Sequence, residues 1–261
     1  MTQLMGVVNV TPDSFSDGGL YLDPEAAISH GHELVEAGAD ILDVGGESTR
    51  PGAEPVGEEE ELRRVVPVIR GLSGSQSRIS VDTSKAAVAA AALDAGAEVV
   101  NDVTALRGDP ETAALCAERG ATVILMHMLG EPRTMQDEPR YEDVVADVKA
   151  FLAERLEAAV AAGIAEERVW LDPGIGFGKT AAHNMELLRR LGELRELGRP
   201  LVVGTSRKSF IGKLDGSPAD QRLGGTIASS VLAAAEGADV LRVHDVAEMR
   251  QALAVATAIL G

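Results

Sequence analysis

Short, nearly continuous apolar runs alternate along this chain with longer stretches of helical periodicity. Eight runs stand out: Leu4–Val8, Ile41–Val44, Ile79–Val81, Val99–Val100, Thr122–Met126, Val169–Leu171, Leu201–Val203 and Val240–Val243. They are too short for helices and lack polar alternation, as expected of parallel strands covered on both faces. The clearest helical stripe holds Val144, Val148, Leu152, Leu156 and Val160 and ends at Gly163. A phrase also recurs. Glu36-Ala-Gly-Ala-Asp40, Asp94-Ala-Gly-Ala-Glu98 and Glu236-Gly-Ala-Asp239 each close a helical pattern and open an apolar run, with Glu118-Arg-Gly-Ala121 a looser copy. Its glycine reads as the residue just past a helix end.

Eight strands alternating with helices in one uninterrupted chain predict an α/β fold, a single (β/α)8 barrel over residues 1–261. A doubly wound open sheet is the alternative. The first βα turn, Asn9-Val-Thr-Pro-Asp13, disfavours it because it carries no dinucleotide fingerprint.

Composition changes the picture in three ways. Aromatic residues make up only 3%, so Ala, Val, Leu and Ile must fill the core. The formal charge of −17 argues against a nucleic-acid surface, and an anionic substrate would need local cations against that field. One cysteine, Cys116, allows neither an intrachain disulfide framework nor a zinc cluster. No secretory leader or membrane-length apolar run is found, and the expectation is a soluble, cytoplasmic protein.

In a barrel, ligands are held at the C-terminal ends of the strands. Here those ends are polar: Asn9, Asp43 with the following Gly45-Gly-Glu-Ser-Thr-Arg50, Asp82, Asn101-Asp102, His127, Asp172, Ser206-Arg-Lys208, and Arg242 with His244. Any one of them is readily explained as a helix cap. All of them at one rim point to a site. Asp82, Asn101 and Asp172 supply acceptors, with Asn101 also a donor, a set suited to a flat heterocycle rich in N–H groups and ring nitrogens. Arg50, Lys208, Arg242 and His244 suit an anionic second part.

The stretch Asp172-Pro-Gly-Ile-Gly-Phe-Gly-Lys179 follows a strand and precedes a helical pattern starting near Ala181. It is not a Walker A loop, because Pro173 stands where that motif needs its first glycine. Asp172 is therefore read as the working group, with the loop folded around something other than phosphate. No zinc spacing and no Gly-x-Ser-x-Gly elbow occurs. His30 and His32, two apart on a helix, cannot face the same way and read as structural or surface residues.

The motifs also carry a resemblance. Met5-Gly-Val-Val-Asn-Val-Thr-Pro-Asp-Ser-Phe-Ser-Asp-Gly-Gly19 and Gly45-Gly-Glu-Ser-Thr-Arg-Pro-Gly52 resemble the first two loops of the dihydropteroate synthases. Ser80-Val-Asp-Thr-Ser-Lys85, Leu125-Met-His-Met128, Leu171-Asp-Pro-Gly-Ile-Gly-Phe-Gly-Lys179, Gly204-Thr-Ser-Arg-Lys-Ser209 and Leu241-Arg-Val-His-Asp245 continue the likeness in order along the chain. It implies a TIM barrel that joins 6-hydroxymethyl-7,8-dihydropterin pyrophosphate to p-aminobenzoate, releasing pyrophosphate, with magnesium, in folate synthesis. It further implies that Asp82, Asn101, Asp172 and Lys208 hold the pterin ring, with Val103 and Met126 on its face. Asn9 corresponds to the magnesium ligand, and Arg242 and His244 to the pyrophosphate pocket. Thr49, Arg50, Pro51, Phe177 and Ser209 correspond to the p-aminobenzoate region. Asp82, Lys208, Arg242 and His244 are the expected catalytic set.

The resemblance also implies a dissociative reaction, loops 1 and 2 acting as lids, and a homodimer. Family members usually carry an N-terminal extension, often a hairpin over the barrel bottom. Here four residues precede Met5-Gly6, which leaves the capping of the bottom open. A corrinoid-dependent pterin methyltransferase and a non-catalytic pterin-binding barrel are the rivals. The Thr-Pro-Asp-Ser-Phe-Ser-Asp and Ser-Thr-Arg-Pro-Gly loops and the Arg242/His244 pair argue against the first. The intact site set argues against the second.

Overall fold

The computed structural model describes residues 2–11, 24–48, 54–130, 134–136 and 138–260. The eight expected strands are all present: β1 (Gln3–Asn9), β2 (Ile41–Gly45), β3 (Arg78–Asp82), β4 (Val99–Asp102), β5 (Thr122–Met126), β6 (Val169–Asp172), β7 (Val202–Val203) and β8 (Val240–Val243). They form one parallel sheet in the order β6-β5-β4-β3-β2-β1-β8-β7. A parallel bridge between Leu171 and Leu201 brings β6 back to β7, so the sheet curls into a (β/α)8 barrel.

The helices are α1 (Pro24–Glu36), α2 (Glu58–Leu72), α3 (Ala86–Ala95), α4 (Glu111–Arg119), α5 (Val144–Ala161), α6 (Ala181–Arg189), α7 (Ser209–Asp215), α8 (Leu223–Ala235) and α9 (Val246–Leu260). Between β7 and β8 the chain makes two helices, α7 and α8, where simple alternation predicts one. No described helix is long and apolar enough to cross a membrane.

Strand periodicity divides the barrel into an apolar floor and a polar mouth. Met5, Ile41, Val99, Ile124, Trp170, Val202 and Val240 form one buried apolar cluster. Register joins them directly, Met5 beside Ile41, Ile124 beside Trp170 and Val202 beside Val240. Two residues further on, the same face of each strand carries Val7, Asp43, Asn101, Met126, Asp172, Gly204 and Arg242. Two more residues reach Asn9, Gly45, Val103 and His244 at the rim. The opposite faces of the strands, including Leu4, Val8, Leu42, Val44, Val81, Val123, Leu171 and Leu241, are buried in the core shared with the helices.

Local signals behave as the sequence suggests, with one exception. Asp143 caps α5, accepting from the amides of Val145 and Ala146 at 2.9 and 3.2 Å. Gly96, closing α3, sits at φ 115°. The α5 stripe, however, is buried only through Leu152; Leu156 is half-buried and Val160 is 40% exposed, while Ala159 takes the inward position. Residues spaced by four advance about 400° around a helix, so each step drifts about 40° from the core.

Candidate active site

The centre of the mouth is a charged network anchored on β2. Asp43, wholly buried, accepts from Arg242 Nε at 2.6 Å and from Asn101 Nδ2 at 3.1 Å, both through Oδ2. Arg242 Nη2 also donates to Asp82 Oδ2 at 3.0 Å. These side chains meet because register sets Gly45 beside Asp82, and Asp82 beside Asn101. Asn101 gives one N–H of its amide to Asp43, which leaves its carbonyl oxygen and its second N–H for a ligand. Burial, and then the nearby charge of Asp43, push the Asp82 carboxyl up to about 7, while Arg242 opposes the rise. Burial opposes the charge of Arg242, but Asp43 and Asp82 more than compensate and hold it above the ordinary range. Two buried oxygens in this layer, Asp43 Oδ1 and Ser80 Oγ, have no hydrogen-bond partner.

Asp172 stands beside Met126 across β5 and β6. It accepts from the Gly174 amide at 2.7 Å. Burial raises its pKa, opposed chiefly by Lys208. Lys208 donates to the Ile175 carbonyl, and its ammonium lies 4.8 Å from the Phe177 ring centroid. Burial pushes its pKa down to about 8, against the attraction of Asp172. A Cβ on Gly176, which has φ +86°, would come within 3.1 Å of Lys208 Cδ. That glycine serves both the turn and the close passage of the lysine.

His244 completes the mouth at β8. Its backbone N–H donates to Ser206 Oγ at 3.2 Å, and Ser206 Oγ lies 2.8 Å from its Nδ1. When the hydroxyl donates to Nδ1, the ring proton sits on Nε2, giving the imidazole a donor on its other edge. Arg207, between Ser206 and Lys208, has φ +56° and turns outward to pair with Asp245. The strand-end run Ser206-Arg-Lys208 thus divides, with Lys208 inward and Arg207 outward. Asp102 faces away too, accepting from Thr104 and Leu106 amides at 2.8 and 2.9 Å as a turn cap.

Val103 and Met126 fall in one buried apolar cluster with Met128 and Met135, against which Phe177 packs. Asn9 ends β1 beside Gly45, and Ser209 opens α7 at the exposed edge beyond Lys208. Thr49, Arg50 and Pro51 lie outside the described residues, as do most of the two loops read as lids.

Three of the polar strand-end residues had no role assigned from sequence. Asp43 holds Arg242 and Asn101, and Ser206 bonds His244. The third, His127, is buried beneath the Asp172 loop with its Nδ1 2.8 Å from Lys179 Nζ. Their polarity at the strand ends was the signal; the partners come from contacts across the fold.

Comparison with known proteins agrees with this geometry. Residues 5–244 match the model of the family described as pterin binding enzyme. A dihydropteroate synthase of Escherichia coli K12 is 48% identical over 99% of this chain and 92% of its own length. The Xanthomonas albilineans dihydropteroate synthase with 4-aminobenzoic acid superposes with a TM-score of 0.94 at 52% identity, over 100% of this chain and 93% of that one. The same enzyme in complex with 7,8-dihydropteroate gives 0.90 at 48% identity, over 100% and 94%. Family model, near-complete relatives and the superposition of the whole barrel agree, and the chain belongs to the pterin-binding enzymes, within the transferases called dihydropteroate synthases.

Proposed function

We propose that this transferase joins 6-hydroxymethyl-7,8-dihydropterin pyrophosphate to p-aminobenzoate in folate synthesis, through departure of pyrophosphate before the new bond is complete. The observation that carries the reading is the mouth itself, where Asp82, Asn101 and Asp172 gather acceptors beside Lys208 and Arg242. Solved relatives hold 4-aminobenzoic acid and 7,8-dihydropteroate, a substrate and the product of this reaction.

The pterin edge, rich in N–H groups, meets Asp82, the Asn101 carbonyl and Asp172, with Lys208 donating to a ring acceptor. Val103 and Met126 pack on its face. Arg242 and His244 donate to the pyrophosphate. As the C–O bond breaks, its electron pair stays with pyrophosphate, where these donors stabilise it. Positive charge grows on the pterin methylene, and Asp82 and Asp172 favour it. The amine of p-aminobenzoate attacks that carbon and releases a proton. Phe177, Ser209, Thr49, Arg50 and Pro51 receive p-aminobenzoate, with Arg50 opposite its carboxylate.

The donor set fits magnesium as a partner of substrate. Among the described residues no group of three or more His, Cys, Asp or Glu could hold a metal. Asn9 alone offers one neutral oxygen, and Gly45 keeps the space beside it open; a Cβ there would lie 3.8 Å from Asn9 Oδ1 and 3.5 Å from Asp82 Cβ. Magnesium tolerates few protein ligands when phosphate oxygens and water complete its shell. Bound there, it supplies positive charge to the leaving group.

A homodimer accompanies this reading. Leu232 on α8 and Val255 and Ile259 on α9 are 63%, 56% and 77% exposed, and a second copy would cover them. The cytoplasm is the compartment in which such biosynthesis is expected. Pyrophosphate release measured with and without p-aminobenzoate tests the function. Release that depends on both substrates supports it; transfer of a methyl group, or pterin binding without turnover, would replace it by one of the rivals.

A further inference from the structure

The glycine-dense loop between β6 and α6 has the reverse polarity of a phosphate cradle. An anion-binding loop aims N–H groups at its ligand. Here the successive carbonyls of residues 174–178 all meet side-chain donors. Lys179 Nζ lies 2.9 Å from both Gly174 O and Phe177 O. Lys208 reaches Ile175 O, Gln136 Nε2 reaches Gly176 O at 2.6 Å, and Tyr141 Oη reaches Gly178 O at 2.8 Å. The loop amides are turned inward, Gly174 to Asp172 at 2.7 Å, Gly176 to Asn184 at 2.7 Å and Phe177 to Gly174 O at 3.1 Å.

Lys179 is the unusual member. It is 2% exposed, among the largest fully buried side chains. Besides the two loop carbonyls, its Nζ lies 2.8 Å from His127 Nδ1, so each of three ammonium protons has an acceptor. His127 is suited to accepting. Burial, then the charge of Lys179, push its pKa down to about 3, so the ring is neutral. Burial pushes Lys179 itself down to about 7, and the attraction of Asp172 resists the shift. The fit is tight. A Cβ on Gly174, φ +67°, would lie 1.9 Å from His127 O and 3.4 Å from Lys179 Nζ. Only glycine lets that carbonyl turn onto the ammonium.

We propose that Lys179 is a positioning residue of the pterin site, an internal cation around which the Asp172–Lys179 loop is folded. It touches no ligand. It holds the Gly174 carbonyl, and the amide of the same residue holds the Asp172 carboxylate, so the ammonium sets the acceptor offered to the pterin edge. This rests on the pterin reading of the site given above.

The test uses calorimetric binding of 6-hydroxymethyl-7,8-dihydropterin, without pyrophosphate, to the full chain at a temperature where each variant is folded by circular dichroism. A dissociation constant measured on folded molecules does not respond to a loss of stability alone. Lys179→Met should raise it ten-fold or more, and raise KM for the pterin substrate by a larger factor than it lowers kcat. His127→Leu removes one acceptor while keeping the ammonium, and should raise the constant about three-fold or more. His127→Asn, whose Oδ1 can stand where Nδ1 stood, should return it to within two-fold of the parent. Should Lys179→Met not fold, the two His127 variants decide; parent-like affinity in His127→Leu overturns the proposal. Asp172→Asn separates the two readings. If it weakens binding while folded Lys179→Met does not, the positioning role fails and the site stands. If Asp172→Asn binds like the parent, the assignment of Asp172 to the pterin fails, and this proposal fails with it.

Discussion

Replacing Asp43 tests the charged network most directly. A single oxygen, Oδ2, serves both Arg242 and Asn101, at 2.6 and 3.1 Å, on a side chain that is wholly buried. Asp43→Ala takes the carboxylate from both donors at once. Breaking a buried ion pair by removing one partner costs about 3–5 kcal/mol. The lower end applies, because Arg242 keeps Asp82 at 3.0 Å and because Asp43 Oδ1 is already buried without a partner. Asp43→Asn keeps an oxygen for both donors and removes only the charge, which reduces the loss to about 1 kcal/mol, the difference between a charge-assisted and a neutral hydrogen bond. Urea unfolding gives the free energies, provided the slope with denaturant is unchanged. The same carboxylate fixes the amide of Asn101, so 6-hydroxymethyl-7,8-dihydropterin should bind folded Asp43→Ala about ten-fold more weakly, about 1.4 kcal/mol. An Asp43→Ala protein within 1 kcal/mol of the parent and with parent-like pterin affinity would refute the view of Asp43 as the anchor of the site.

Three further outcomes follow from the same residues. Chelation should abolish turnover and added magnesium restore it, while calorimetry of the protein with magnesium alone should find only weak binding; tight one-to-one binding without pyrophosphate would contradict the Asn9 assignment. Arg50→Ala should raise KM for p-aminobenzoate by roughly ten-fold, about 1.4 kcal/mol, with little change for the pterin substrate, as read by steady-state kinetics with each substrate varied. His127, held down to about 3 against 6.5 when unfolded, binds its proton less readily in the folded state, so its contribution to stability is lost as pH falls from about 6.5 towards 3. The parent should therefore lose up to about 1.4 kcal/mol per pH unit more than His127→Asn across that window; parallel denaturation curves would show that the imidazole is not buried neutral.

The fold was legible because parallel strands covered on both faces leave an unmistakable trace, short apolar runs such as Leu4–Val8 and Val240–Val243 separated by helical stretches. Register then carried the reading to the rim, since a polar residue closing such a run must lie at the barrel mouth. What stayed hidden depends on contacts across the fold. Asp43 lies within its strand, and nothing in the local sequence tells that it faces Arg242 from β8 rather than a helix. Lys179 looks like any lysine before a helix; its burial needs His127 from β5 and the inward turn at Gly174. Nor does the local sequence tell that the carbonyls of Gly174 and Phe177 turn onto the chain's own Lys179 ammonium. The α5 stripe overreached at Val160 because spacing by four is slightly out of phase with the helix.

Charge explains why the mouth is built this way. Arg242, Lys208 and Lys179 stand against Asp43, Asp82 and Asp172, so three buried or half-buried cations face three buried or half-buried carboxylates. Each carboxylate offers an acceptor or fixes one, and each cation makes that carboxylate tolerable in a buried site. The arrangement leaves the centre formally neutral within a chain of net charge −17. A neutral centre suits the pterin ring, which brings no formal charge. It does not suit pyrophosphate, whose charge must be met at the rim, above the network. There the described residues offer His244 and the outer edge of Arg242, and the strand-end cation Arg207 is turned away to Asp245. In the reaction proposed above, a divalent ion carried in with the diphosphate and held at Asn9 would supply what the protein's own cations, committed to the carboxylates below, cannot.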